Sequence, residues 1–173
     1  MSESALVVEV EAAEPLIGHW RRRYDPSARL GMPAHVTALF PFRPAASLGP
    51  AEMNILGQVA AQVERCRFQL TALEQFPGVL WLRPDPDDWC RQLTSTLISL
   101  FPDCPPYGGR FRDNIPHLTV GQFAADADVQ RVLQGLQADI GGSLPLDCVA
   151  TSLSLFVSDS GGSWAVAARF PFR

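Results

Sequence analysis

The sequence predicts an α+β protein with a bilobal, duplicated fold: two mainly antiparallel sheets with flanking helices around a central groove. Three observations lead to that expectation. Short β-like apolar runs and longer amphipathic stretches follow one another in the order β-α-β-α-β-β-α-β-α-β-β. A short phrase occurs twice, as Pro33-Ala34-His35-Val36-Thr37-Ala38-Leu39 and Ile115-Pro116-His117-Leu118-Thr119-Val120-Gly121, with its two histidines 82 positions apart. No low-complexity linker separates the regions around the two copies. The expected organisation is one domain over residues 1–173, made of two pseudo-symmetric lobes. Each lobe would supply one copy of the phrase and two helices.

Ala5 to Val10 is apolar apart from Glu9 and reads as a strand. Glu14 to Tyr24 reads as a helix stopped near Asp25-Pro26. Arg21-Arg22-Arg23 falls in its last turn, where cations suit the helix dipole. The alternative use of that triplet is an arginine facing a ligand. His35 to Phe40 is a strand ended by Pro41 and Pro44. Pro50 opens a helix to about Glu64, with Ile55, Leu56, Val59 and Val63 on one face.

Phe68 to Leu73 and Val79 to Leu82 form a hairpin around Pro77-Gly78. Asp85-Pro86-Asp87-Asp88 reads as a helix start, with a capping Asp, Pro at the first position and acids in the first turn. That helix carries Leu93, Leu97, Ile98 and Leu100 and stops before Pro102. Pro105 to Asn114 is a Pro/Gly/Arg-rich loop leading to the strand at His117. Asp126 to Ile140 is a helix ended by Gly141-Gly142. Val149 to Val157 and Trp164 to Phe170 form a final hairpin around Ser160-Gly161-Gly162.

Composition narrows the function classes. The chain is 47% hydrophobic and 18% charged, enough for a well-filled core. No apolar run approaches the roughly 18 residues of a membrane span. The acidic start, Met1-Ser2-Glu3-Ser4, does not resemble a secretory signal, so a cytoplasmic protein is expected. Cys66, Cys90, Cys104 and Cys148 show no CxxC spacing and read as reduced thiols in the core. Net charge is −4, and all fourteen basic residues are arginine. An acidic chain is a poor generic binder of long nucleic acid, which is held through many phosphate contacts. A small phosphate ester or the end of an RNA suits the charge better. A monomer is expected.

The repeated phrase carries the chemistry. Residues i and i+2 of a strand point to one face, so His35 shares a face with Thr37, and His117 with Thr119. Strands lying side by side would bring two imidazoles and two hydroxyls together. Two histidines can act as general acid and general base, and two hydroxyls can hold an anion between them. The bland alternative is two separately satisfied core histidines.

PAHVTALFPF and IPHLTVGQF resemble the paired His-x-Thr motifs of the two-histidine (2H) phosphoesterase superfamily. That family includes RNA 2′,3′-cyclic phosphodiesterases, also called 2′-5′ RNA ligases. The resemblance covers most of the chain, because the element order also fits the family's bilobal fold. It implies a phosphodiesterase that opens a 2′,3′-cyclic phosphate, at an RNA end or on a small nucleotide, without metal or cofactor. It implies His35 and His117 as the catalytic pair, and Thr37 and Thr119 as holders of the phosphate. By family analogy His117 is the base and His35 the acid. The better-known RNA members are more basic than this chain, which favours a small substrate such as a cyclic nucleotide or an ADP-ribose cyclic phosphate.

Hydrolysis of a cyclic phosphodiester needs a base for water, an acid for the leaving ribose oxygen, and donors for the phosphoryl oxygens. Attacking and leaving oxygens lie on opposite sides of phosphorus, which matches histidines on opposite walls of a groove. Arg110 and Arg112, just before the second motif, are candidate phosphate binders, and Arg43 follows the first motif at a similar remove. Each also reads as a solvated loop arginine. Tyr107 is a candidate substrate contact; it and Phe111 could stack on a base or simply pack the loop. His19 lacks a threonine partner and reads as structural.

Two other classes compete. A non-catalytic RNA-end or nucleotide binding module could use the same groove, although binding alone does not call for paired histidines. A metallohydrolase would need a third clustered ligand that the sequence does not offer. A ligase working through a lysine adenylate is excluded, since the chain has no lysine.

Overall fold

The computed structural model describes residues 2–111 and 113–173. Its strands are β1 (Ser4–Glu9), β2 (His35–Leu39), β3 (Cys66–Phe76), β4 (Val79–Asp85), β5 (Leu118–Gln122), β6 (Leu146–Ala150), β7 (Ser152–Ser158) and β8 (Trp164–Pro171). Its helices are α1 (Glu14–Tyr24), α2 (Pro26–Arg29), α3 (Pro50–Gln62), α4 (Asp88–Leu100) and α5 (Asp126–Ile140). The strands form two four-stranded sheets, ordered β2-β1-β7-β8 and β5-β4-β3-β6, and every neighbouring pair is antiparallel. This is the α+β architecture with two antiparallel sheets that the sequence predicts.

The sheets do not split the chain into a first and a second half. The first sheet takes its strands from both ends of the sequence, and the second takes them from the middle. Helix α1 packs on β5 of the second sheet, whereas α4 packs on β2 of the first. Strands β2 and β5 lie at the edges of their sheets and contact each other. The two His-x-Thr copies therefore face one another.

Alternation along the strands builds the core. Val36 and Ala38 of β2, Leu118 and Val120 of β5, and Leu6 and Val8 of β1 are buried in one continuous apolar cluster. Ala5 and Val7 of β1 point to the other face and join a small separate cluster with Met32 and Phe156. At roughly 25 cal/mol per Å² of apolar surface, such two-faced burial is the main force holding the sheets together. Gly121 matters for the packing of α1. A Cβ at that position would lie 2.8 Å from Tyr24 Cβ, so only glycine lets α1 approach β5 this closely.

Two boundaries differ from the sequence reading. The predicted strand Val149 to Val157 is two strands in different sheets: β6 pairs with β3 and β7 pairs with β1. The crossing takes place at Thr151, a single residue, and the buried positions change phase there, from Cys148 and Ala150 in β6 to Leu153 and Leu155 in β7. The predicted helix start at Asp85-Pro86 also moves. Strand β4 continues to Asp85, paired with Gln69, and α4 begins at Asp88. Asp87 does not cap the helix backbone with its side chain; both of its carboxylate oxygens accept from Arg91 Nε at 3.0 Å.

Candidate active site

A cavity of about 650 Å³ opens between β2 and β5. His35, Thr37, His117 and Thr119 all line it. The two histidines are held in the same way. His35 Nδ1 lies 2.7 Å from the Pro33 carbonyl oxygen, and His117 Nδ1 lies 2.7 Å from the Ile115 carbonyl oxygen. A carbonyl only accepts, so each Nδ1 carries the proton and donates it. Each Nε2 is then left with a lone pair, free to take a proton.

The two environments are not equal. Burial, reinforced by the Arg21 guanidinium, pushes the His35 pKa down to about 4, against the opposing pull of the Pro33 carbonyl and Asp25. Burial also lowers the His117 pKa, opposed by the Ile115 carbonyl. Both imidazoles are therefore neutral near neutral pH, and His35 is the harder of the two to protonate.

The walls are mostly apolar and aromatic. Phe76 and Trp81 set ring edges against His117, at centroid distances of 5.3 and 5.9 Å. Phe40 and Trp164 meet edge-on at 6.1 Å on the side of His35. Tyr107 backbone sits in the left-handed region, at φ 50° and ψ 32°, ahead of two glycines that also have positive φ. A tyrosine held there carries backbone strain, a feature that clusters at functional sites. Its N–H donates to the Phe40 carbonyl at 2.6 Å. Burial raises the phenol pKa, and a hydrogen bond with Thr37 pulls it the other way. The polar lining is completed by Ser27, Asp113, Asn114 and Gln122. Among the described residues, no cluster of three or more His, Cys, Asp or Glu could hold a metal ion.

A model of the 2′-5′ RNA ligase superfamily matches residues 8–162. The chain belongs to that superfamily. No curated protein matches it in sequence. Among solved structures, TT0787 of Thermus thermophilus is similar over 99% of this chain and 98% of its own, at 15% identity and a TM-score of 0.66. Escherichia coli LigT complexed with 3′-AMP is similar over 99% and 98%, at 17% identity and a TM-score of 0.60. The same LigT complexed with NADP+ gives 18% identity and a TM-score of 0.57, over 99% and 97%. At such identities these structures attest the fold. The superfamily supports a phosphoesterase-type enzyme.

The cavity of this superfamily member gathers five of the seven site residues read from the sequence: His35, Thr37, His117, Thr119 and Tyr107. Phe111 also lines the cavity, meeting the Tyr107 ring edge-on at 5.6 Å. Arg110 does not belong with them. The left-handed turn at Gly108 and Gly109 carries it out to solvent, away from the lining residues. Arg112 lies outside the described residues. Arg43 is occupied elsewhere, paired with Glu52 at 2.6 Å and Asp103 at 3.2 Å. His19 bonds Asp139 on the surface, at 3.1 Å.

Sequence reasoning misses three participants. Phe40 and Gln122 line the cavity although strict alternation from the histidines does not place them there. In each motif the strand register slips by one residue just after the threonine, at Ala38 and at Val120. The slip turns the residue five after each histidine onto the cavity face. Arg21 suits the helix dipole by position, yet it is only 2% exposed and bonds inward.

Proposed function

We propose that this protein hydrolyses a 2′,3′-cyclic phosphate, on a small nucleotide or at an RNA end, using His35 and His117 as a metal-independent acid–base pair. One observation carries the reading: two imidazoles, each anchored through Nδ1 to a main-chain carbonyl, line one cavity together with two threonine hydroxyls. Water attacks phosphorus while one Nε2 accepts its proton. The bond from phosphorus to one ribose oxygen breaks, and the other histidine delivers a proton to that oxygen from Nε2. The product is a phosphomonoester, and solvent resets both imidazoles. Thr37 and Thr119 donate to the non-bridging oxygens, where negative charge builds.

The electrostatics favour His35 as base and His117 as acid, the reverse of the assignment implied by family analogy. A base must be neutral beforehand, and His35 is held neutral more strongly. The acid must carry a proton, which the less perturbed His117 accepts more readily, above all beside a bound phosphate anion. The apolar, aromatic walls suit a nucleoside. LigT, which shares the fold, has been crystallised with 3′-AMP and with NADP+, and this supports a nucleotide as the bound group.

Phosphorus NMR of the protein incubated with 2′,3′-cyclic AMP, and separately with a short RNA ending in a 2′,3′-cyclic phosphate, tests the reading. EDTA is present throughout. Conversion of either to a phosphomonoester supports it, and the product isomer identifies which ester bond broke. Binding of both with no conversion would leave a nucleotide-binding protein in its place.

A further inference from the structure

Helix α1 and its C-cap carry a line of charged side chains at Glu14, Arg21 and Asp25, spaced to share one face. Arg21 and Asp25 are 2% and 0% exposed. The Arg21 guanidinium reaches three points. Nε donates to the Thr119 carbonyl at 3.1 Å, Nη1 to the Met32 carbonyl at 3.2 Å, and Nη2 to Asp25 Oδ2 at 2.7 Å. Asp25 uses its other oxygen for Ser27, accepting from its N–H at 2.9 Å and its hydroxyl at 2.8 Å. Met32 and Ser27 are themselves on the cavity wall. Glu14 accepts the N–H of Ala34, the residue before His35.

One helix therefore grips both motifs. Met32 and Ala34 lead directly into His35, and Thr119 is the phosphate-side residue of the second motif. β5 is an edge strand, and Arg21 holds Thr119 by its main chain. Stability does not account for this arrangement. Removing a guanidinium and a carboxylate from water costs several kcal/mol per ion, and apolar replacements of buried pairs are often neutral or better. A planar fork with fixed donor directions is, however, well suited to setting the relative position of three oxygen atoms.

We propose that Arg21 is a positioning residue that fixes the two His-x-Thr strands relative to one another. The proposal rests on the reading of His35 and His117 as an acid–base pair. The charged and titratable groups around His35 are Arg21 from α1, Asp25 at the C-terminal cap of that helix, Glu9 from β1 and His117 just ahead of β5.

Two variants test it. Arg21→Lys keeps the charge but cannot make the three directed bonds. Arg21→Met/Asp25→Asn removes both charges together while leaving an acceptor for Ser27, so no lone ion stays buried. In each, kcat for the cyclic phosphate should fall by about 10–100-fold, with KM changing by less than about threefold, as expected for misplacement rather than lost binding. Nitrogen-15 spectra of the imidazoles provide a readout independent of turnover. The double variant should raise the pH at which His35 protonates, and in both variants the Nδ1–H form of His117 should become less exclusive. Folded variants with wild-type kcat and wild-type histidine titrations would overturn the proposal. Should the wild type turn over neither substrate, the functional reading fails, and the histidine spectra still decide the role of Arg21.

Discussion

Ala38 and Val120 hold the same place in the two motifs: each is the residue passed over by the strand register three positions after its histidine. Opposite Leu6-Val7 the partners jump from Leu39 to Thr37, and opposite Leu80-Trp81 they jump from Gly121 to Thr119. The consequence is a matched set of side chains on the cavity face. His35, Thr37 and Phe40 come from β2 and its exit, and His117, Thr119 and Gln122 from β5 and the residue before it. The chemistry-bearing pair is identical in the two sets, and the third member is not.

That difference predicts a division of labour. Gln122→Ala should raise KM several-fold with kcat changed less, because an amide on the wall contacts substrate in both ground and transition states. Phe40→Ala should weaken binding of a nucleoside cyclic phosphate more than that of a base-free ribose cyclic phosphate. Steady-state kinetics with the two substrates reads both effects.

The hydroxyls should matter differently. Thr37→Val and Thr119→Val each remove a donor to the phosphoryl oxygens, and each should lower kcat by about 10²-fold, with Ser restoring most of the activity. Tyr107→Phe deletes a hydroxyl that lines the cavity near Thr37 and leaves the ring in place. It should cost less than Thr37→Val. Combined with Thr37→Val it should add little, because both changes remove neighbouring hydroxyls on the same stretch of cavity wall.

Acid should destabilise the fold through His35. Unfolded, this imidazole protonates near its ordinary value of 6.5, and folded only near about 4. Between those values the unfolded chain binds more protons, so stability falls as pH falls, by up to about 3 kcal/mol from this group. The effect is absent above the unfolded value, where both states are neutral. Urea midpoints at about pH 7 and about pH 4.5 should differ less in His35→Gln than in wild type. Equal differences would place the acid sensitivity elsewhere.

The roles of the two histidines separate by leaving group. With a nucleoside p-nitrophenyl phosphodiester, whose leaving group needs no proton, the acid variant should lose far less activity than the base variant. With His117 as the acid, His117→Ala is the tolerated change. Tolerance of His35→Ala instead would restore the assignment drawn from family analogy.

The fold and the four motif residues are legible because they rest on short-range pattern: alternation in strands, Pro and Gly at turns, and a phrase that occurs twice. The rest depends on contacts that pattern does not encode. The crossing at Thr151 leaves only a faint mark, the adjacent polar pair Thr151-Ser152 where the buried positions shift from even to odd, and pairing with two different sheets becomes visible only in the fold. Phe40 and Gln122 reach the cavity through a register slip visible only once the strands are paired. Arg21 sits beside Arg22 and Arg23, and the helix dipole explains all three equally well until tertiary contacts single one out. Arg110 lies close to the second motif in sequence, yet it is exposed and is not among the residues that line the cavity, a placement that sequence proximity does not encode.

The acid–base pairing of His35 and His117 is best tested by kcat for 2′,3′-cyclic AMP, in EDTA, for wild type, His35→Ala, His117→Ala and the double variant. Each single change should lower kcat by about 10²-fold or more, and the double variant should be little worse than the poorer single, since the two imidazoles act on one transition state. Wild-type turnover in either single variant would contradict the pairing.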